Sequence, residues 1–183
     1  MKSLFIAAGV AALALPMGGA TASVFTLGGP LAQSCYNAAE AGDPRSSAIE
    51  GCTRALTEEG LLESDRAATY VNRGIVQMVG GHDNAADSDF NAALAINAGL
   101  SDAYLNKGFL RLREGRGQEA LPLLQQGIDR GARRQALAYF ARGVAYEQAG
   151  DFRSAYNDLV KASQMEPRWS LPREWLAHYQ VRR

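Results

Sequence analysis

Few side chains of this protein are of a type and spacing suited to chemistry. The two histidines, His82 and His178, are far apart in sequence, and neither has a nucleophile or an acid at a fixed spacing. Asp87-x-Asp89 offers a carboxylate pair, but such pairs on a helix usually form a solvated face. The sequence contains no glycine-rich phosphate loop and no cysteine–histidine metal spacing. We therefore expect no catalytic residue, no metal site, no cofactor and no enzyme activity.

A repeat organises the elements that would position any functional group. Six positions recur in three copies, first 34 and then 35 residues apart. The extra residue falls in the connection Gly131-Ala132-Arg133-Arg134. The copies are Tyr70, Gly74, Gly81, Ala86, Phe90 and Ala93; Tyr104, Gly108, Gly115, Ala120, Leu124 and Gly127; and Tyr139, Gly143, Gly150, Ala155, Leu159 and Ala162.

Each copy predicts two helices. Tyr70 and Gly74 share one face of a first helix, and Ala86, Phe90 and Ala93 share one face of a second. Glycine inside a helix costs about 1 kcal/mol relative to alanine, so a glycine repeated at the position of Gly74 predicts a close helix crossing. Further glycines are expected where each first helix ends, at Gly81, Gly115 and Gly150. In the middle copy, Pro122 predicts a second helix that starts late or bends.

This period and pattern resemble the tetratricopeptide repeat (TPR). The resemblance implies an all-α fold, a right-handed α-solenoid of helix hairpins closed by a C-terminal capping helix. The single domain is expected over residues 30–183, with a degenerate hairpin at 30–60, repeats at 67–100, 101–134 and 136–169, and the capping helix at 170–183.

The first residues predict export from the cytoplasm. Lys2 precedes an apolar run of twelve residues from Leu4 to Leu15, and Ala20-Thr21-Ala22 forms an Ala-x-Ala cleavage site before Ser23. The run is too short to span a bilayer as a helix, which takes about 20 residues. We expect a signal peptide at 1–22, a short leader at 23–29, and a periplasmic or secreted protein without stable membrane insertion.

The two cysteines fall in the degenerate hairpin. Cys35 takes the position of Gly74 on the first helix, and Cys52 takes the position of Phe90 on the second. Antiparallel helices packed through small residues bring such positions within disulfide range, and export favours oxidation. We expect a disulfide between Cys35 and Cys52. Two free buried cysteines are the alternative, and a redox-active or metal-binding pair is less favoured because no Cys-x-x-Cys motif is present.

The TPR resemblance implies a concave surface, lined by the first helices, that binds an extended peptide or a partner helix. Asn72 and Asn106 stand where TPR proteins hydrogen-bond a peptide backbone, and an amide supplies both a donor and an acceptor. The alternative is that asparagine is simply common at this position. Leu137 and Ala141 replace the basic residues of a carboxylate clamp, so an apolar groove is expected. The predicted peptide-binding residues are Val71, Asn72, Ile75, Leu105, Asn106, Phe109, Phe140 and Val144.

The charge distribution bears on the partner. Residues 23–183 carry 18 basic and 19 acidic side chains, which argues against nucleic-acid binding. Residues 23–100 hold 4 basic and 10 acidic groups, whereas residues 101–183 hold 14 and 9. Such a polarity would steer a partner. Head-to-tail self-association, or no consequence at all, is the alternative.

Together these features predict a non-enzymatic scaffold or adaptor of the cell envelope that binds another protein, whose identity the sequence does not give. A homo-oligomeric structural protein is one alternative. An accessory subunit of an envelope enzyme or assembly machine is another.

Overall fold

Nine helices make up most of the part of the chain that the structure, a computed structural model, describes: residues 4–5, 21–26 and 28–181. The all-α solenoid predicted from the repeat is confirmed. Most of the predicted signal peptide, residues 1–3 and 6–20, lies outside the described residues. The helices are α1 (Pro30–Ala41), α2 (Ser46–Glu58), α3 (Glu63–Val79), α4 (Asp83–Ile96), α5 (Ser101–Arg113), α6 (Gly117–Asp129), α7 (Gln135–Gln148), α8 (Phe152–Met165) and α9 (Leu171–Leu176).

The first eight helices form four antiparallel hairpins arranged in two layers. The first helices of the hairpins, α1, α3, α5 and α7, contact one another in turn and form an inner layer. The second helices α2, α4 and α6 each pack between the first helix of their own hairpin and the first helix of the next, and α8 packs between α7 and α9. No helix in the described ranges is both long enough and apolar enough to cross a membrane.

The repeated glycines allow the two helices of each hairpin to approach closely. A Cβ added at Gly74 would lie 2.6 Å from Cε1 of Phe90, and one added at Gly108 would lie 2.4 Å from Cδ2 of Leu124. At Gly143 the corresponding distance, to Cγ of Leu159, is 3.1 Å. Because these distances are shorter than a carbon–carbon contact allows, glycine is required sterically at the first two crossings.

Glycines also end the first helices. Gly81, Gly115 and Gly150 adopt φ angles of 82°, 73° and 81°, in the left-handed region that glycine enters without a steric penalty. The residue after each glycine donates a backbone hydrogen bond to the last turn of the helix, as from His82 N to Gln77 O at 2.8 Å. This geometry reverses the chain within a few residues and sets up each hairpin.

The first hairpin is closed by the predicted disulfide. Cys35 on α1 and Cys52 on α2 are bonded, with their Cα atoms 4.8 Å apart, and both are buried. A bridge that closes a loop of this length contributes about 3 kcal/mol in the chain-entropy model. The N-terminus of α1 is capped from the same hairpin, because the carboxylate of Glu59 accepts hydrogen bonds from Leu31 N at 2.8 Å and Ala32 N at 3.0 Å.

Two local expectations differ from the structure. Helix α6 begins at Gly117 and runs through Pro122, which is exposed, so a late start does not occur, and a bend at Pro122 stays a prediction. The capping helix expected over 170–183 is shorter, because α9 ends at Leu176. The chain then turns, and β2 (Gln180–Val181) pairs antiparallel with β1 (Leu4–Phe5).

The C-terminal turn is held by a carboxylate. Glu147 of α7 accepts hydrogen bonds from Trp175 Nε1 at 2.8 Å and from Tyr179 Oη at 2.7 Å. Burial and the bond to Glu147 raise the pKa of Tyr179 far above its usual value, so its hydroxyl remains a donor. Shared donation to one acceptor explains why the chain leaves the helical path after Leu176.

Candidate peptide-binding groove

Two asparagines on the inner layer each use both ends of their side-chain amide. Asn72 lies in the middle of α3, Asn106 lies at the equivalent position of α5, and both are buried. Buried amides require partners, because an unpaired donor or acceptor in the interior costs roughly 1–3 kcal/mol. Their partners are backbone groups, as TPR resemblance led us to expect for a bound peptide, but the backbone belongs to this chain.

The backbone in question is that of residues 21–26. Asn72 Oδ1 accepts from Val24 N at 2.8 Å, and Asn72 Nδ2 donates to Val24 O at 2.7 Å. Asn106 Oδ1 accepts from Ala22 N at 3.3 Å, and Asn106 Nδ2 donates to Ala22 O at 3.0 Å. In an extended chain alternate residues face the same side, so Ala22 and Val24 can meet two neighbouring helices. The segment therefore lies across the inner layer as an extended strand held through its main chain.

Two arginines bind the carbonyls of the same segment. Arg134 Nη1 donates to Thr21 O at 3.0 Å, and Arg133 Nη2 donates to Ser23 O. Both arginines lie in the connection between α6 and α7, and this is the connection that carries the extra residue of the repeat pattern. Neither arginine was predicted from the sequence as a groove residue. The sequence signal that could have indicated them is the one-residue insertion, because the spacing between repeats rises from 34 to 35 residues at this connection.

The other end of the segment rests on α1. Ser23 Oγ donates to Glu40 Oε1, and the ring of Phe25 meets the ring of Tyr36 edge to face, with centroids 5.5 Å apart. Edge-to-face aromatic pairs are favoured by the ring quadrupoles. Glu40 and Tyr36 were also not assigned from the sequence, and nothing in their spacing distinguishes them from other residues of α1.

Asp102 brings a buried carboxylate close to this site. Its backbone carbonyl accepts from Asn106 Nδ2 at 2.8 Å, and its side chain lies 3.6 Å from Arg133 Nε. Burial raises the pKa of Asp102, and the nearby positive charge of Arg133 offsets this only in part. Oδ1 of this carboxylate is buried without a hydrogen-bond partner among the described residues, as is Oγ1 of Thr26 in the segment itself.

The predicted apolar residues are all buried and lie in one hydrophobic cluster that also contains Ala22. Phe140 packs edge to face against Trp169 and Trp175, at centroid distances of 5.1 and 5.5 Å, so the C-terminal segment covers this end of the inner layer. Whether any of these residues binds a separate peptide stays a prediction. They are Val71, Ile75, Leu105, Phe109, Phe140 and Val144.

The residues of a type suited to chemistry are used in other ways. Asp89 is buried and paired with Arg73 at 2.7 Å, so the solvated face expected for Asp87-x-Asp89 is wrong for Asp89; Asp87 is paired with Arg111 at 2.8 Å. His82 is exposed at the turn before α4, and His178 is exposed in the turn after α9. Within the described ranges, no three histidine, cysteine, aspartate or glutamate side chains are grouped so as to hold a metal ion. The groove therefore offers hydrogen bonds and apolar surface.

The fold is similar to that of MamA. A structure described as MamA 41-end from Desulfovibrio magneticus RS-1 has a TM-score of 0.62 and 24% identity, over 81% of this chain and 82% of that one. The structure described as MamA RS-1 ArsTM double mutant has a TM-score of 0.63 and 22% identity, over 81% and 82% of the two chains.

A further structure, described as the crystal structure of MamA protein, has a TM-score of 0.60 and 24% identity over 75% of this chain and 72% of that one. Identities this low show a shared TPR-like solenoid fold and nothing beyond it. No family model and no curated protein matches this chain.

Proposed function

We propose that this protein is a non-enzymatic adaptor that binds an extended peptide of a partner protein on its inner face. The observation that carries the proposal is the pair of bidentate asparagine contacts at Ala22 and Val24. Because these contacts use only main-chain groups, any extended peptide of the right size could make them in place of residues 21–26. Arg133 and Arg134 add two donors for carbonyls, which strengthens the preference for a peptide main chain.

We further propose that the adaptor acts in the cell envelope after export. The Ala-x-Ala site before Ser23 and the apolar run ahead of it support export. The Cys35–Cys52 disulfide supports an oxidising compartment, since such bonds are rare in the cytosol. Cell fractionation with N-terminal sequencing of the recovered protein tests this, with Ser23 expected as the first residue. Recovery of the intact chain in the cytosol would contradict it.

The binding proposal is tested by affinity capture from envelope extract. Wild-type protein is compared with Asn72→Ala/Asn106→Ala and with a control, Asn84→Ala/Asn157→Ala, whose exposed asparagines lie on the outer helices α4 and α8. We expect one partner to be captured by the wild type and the control and lost with the groove variant. Equal capture by all three proteins would exclude the asparagine groove as the binding site.

The alternative function is a homo-oligomer, and one observation favours it: the segment in the groove is part of this chain, so a second copy could supply it. Sedimentation at several protein concentrations distinguishes the two functions. A mass that rises with concentration, and that the Asn72→Ala/Asn106→Ala substitution returns to that of a monomer, would establish the oligomer.

A further inference from the structure

Four of the six residues of the segment in the groove are buried, whereas Val24 is partly buried and Phe25 is half exposed. Ala22 and Ser23 are each 2% exposed and Thr26 is 1% exposed, although this segment has no regular secondary structure of its own. Burial of an irregular segment is tolerated only when its backbone groups are paired. Here the pairing comes from side chains of α3, α5 and the α6–α7 connection, so the solenoid supplies a site that fits this strand.

The contacts give the strand a direction. Thr21 lies at Arg134, Ala22 at Asn106 and Val24 at Asn72, and Phe25 reaches Tyr36 on α1. The strand therefore runs from α7 towards α1, against the order of the helices. A peptide in the opposite direction would present its N–H and C=O groups in a different order to the fixed amides and arginines.

The side chains of the strand meet surfaces of different kinds. Ala22 lies in the hydrophobic cluster and is buried, which favours a small residue at this position. Ser23 donates its hydroxyl to Glu40, and Phe25, half exposed, places its ring on Tyr36. The groove thus distinguishes side chains at three positions in addition to binding the main chain.

We propose that residues 21–26 of the uncleaved chain, of which residues 23–26 remain after cleavage before Ser23, are a ligand built into the groove, and that a partner displaces them with an extended peptide of the same direction and chemistry. That peptide has a small residue at the Ala22 position, a hydroxyl at the Ser23 position and an aromatic ring at the Phe25 position. This inference rests on the proposed function, because it specifies the peptide that the adaptor binds.

The connection to α1 makes the built-in ligand a strong competitor. Only residues 27–29 separate Thr26 from the start of α1 at Pro30. A short tether gives an effective concentration on the order of millimolar, so a free peptide binds the intact chain only weakly unless the segment is released.

A labelled peptide of residues 20–27, Ala-Thr-Ala-Ser-Val-Phe-Thr-Leu, tests the proposal by fluorescence anisotropy. It is titrated with the full-length chain and with the variant Ala22→Pro/Val24→Pro. The two prolines remove the N–H groups from which Asn106 and Asn72 accept hydrogen bonds, and they lie outside every helix. We expect the proline variant to bind the peptide about tenfold more tightly, or better, and the same variant with Asn72→Ala/Asn106→Ala to lose binding. Equal affinity of the wild type and the proline variant would overturn the proposal.

Three control peptides test the direction and the side chains. They are the same residues in reverse order, the peptide with proline at the positions of Ala22 and Val24, and the peptide with leucine at the position of Ala22. Each is expected to bind the proline variant at least about tenfold more weakly than the parent peptide. Equal binding of the reversed peptide would overturn the direction, and equal binding of the leucine peptide would overturn the small-residue position.

A measurement on the unaltered chain keeps the test independent of the variants. Amide hydrogen exchange is expected to be slow at Ala22 and Val24, and the slow exchange is expected to be lost in Asn72→Ala/Asn106→Ala. Fast exchange in the wild type would show that the segment is not bound. If partner capture depends on Asn72 and Asn106 while the peptide does not bind, the proposed function stands and this inference fails.

Discussion

At the scale of single residues, the groove combines satisfied amides with one carboxylate in an unfavourable environment. The side-chain amides of Asn72 and Asn106 each donate and accept a hydrogen bond with the main chain of residues 21–26. Asp102, in contrast, has a buried carboxylate oxygen without a hydrogen-bond partner. An amide can be buried at little cost when its hydrogen bonds are made. The carboxylate of Asp102 has the charge of Arg133 at 3.6 Å and a backbone hydrogen bond from the same residue, and these offset the cost of burying its charge only in part. The stability of the groove should therefore depend on the protonation of Asp102.

We predict that the free energy of unfolding of the wild type rises relative to that of Asp102→Asn as the pH falls. Burial raises the pKa of Asp102 in the folded chain above its usual value of 3.8, so the folded state takes up a proton at a higher pH than the unfolded state. The stabilisation is complete below the usual value and is lost as the pH rises through the raised pKa. Urea unfolding at a series of pH values measures it.

Asp129→Asn provides the control for this prediction, since Asp129 is an exposed aspartate at the end of α6. It removes one negative charge without changing the groove. The free energy of unfolding of the wild type minus that of Asp102→Asn could instead stay constant with pH or grow as the pH rises. Either result would contradict the assignment of Asp102 as the buried, pH-sensitive group.

At the scale of helices, the repeated glycines decide how closely each hairpin packs. In α5, a methyl group on Gly108 would overlap both Cδ2 and Cγ of Leu124, at 2.4 and 2.6 Å. Cγ is close to the backbone and cannot move without changing the side-chain rotamer or the helix position. Gly51 in α2 has open space around it, because a methyl group on this residue would meet nothing within 4 Å.

We predict that Gly108→Ala and Gly51→Ala change stability in opposite directions. Gly108→Ala is expected to lower the free energy of unfolding by about 1–3 kcal/mol, since overpacking outweighs the gain in helix propensity. Gly51→Ala is expected to raise it by about 0.5–1 kcal/mol, because alanine restricts the unfolded chain and favours the helix. Thermal and urea unfolding of the two variants measures both changes. Stabilisation by both would show that the α5–α6 crossing is looser than described.

The same glycines show how much of this molecule could be predicted from its sequence. Gly74 and Gly108 recur at a fixed spacing because each crossing needs the same absence of a side chain, so the hairpins, their turns and the disulfide partners followed from the pattern. The strand of residues 21–26 could not be predicted in this way. It is bound through its main chain, and main-chain recognition leaves no periodic signature in the sequence of the bound segment.

At the scale of the whole molecule, one short stretch of the chain is both the predicted cleavage site and part of the segment in the groove. Residues 20–22 form the predicted cleavage site, and Thr21 and Ala22 also contact Arg134 and Asn106 in the groove. A buried segment held by hydrogen bonds is a poor protease substrate, so cleavage before Ser23 is expected to precede folding. Cleavage would remove the contacts at α5 and α7 and would leave Val24 on Asn72.

We predict that a chain beginning at Ser23 binds the peptide of residues 20–27 more tightly than the full-length chain and less tightly than Ala22→Pro/Val24→Pro. The reason is that removal of residues 1–22 takes away the main-chain groups of Thr21 and Ala22 that Arg134 and Asn106 bind, while residues 23–26 still cover Asn72. Fluorescence anisotropy titrations with all three proteins measure the order of their affinities for the peptide. Adding Val24→Pro to the shortened chain should bring its affinity to that of the double-proline variant, because both halves of the groove are then open. If the shortened chain binds no more tightly than the full-length one, Thr21 and Ala22 do not block the groove, and export leaves the binding surface unchanged.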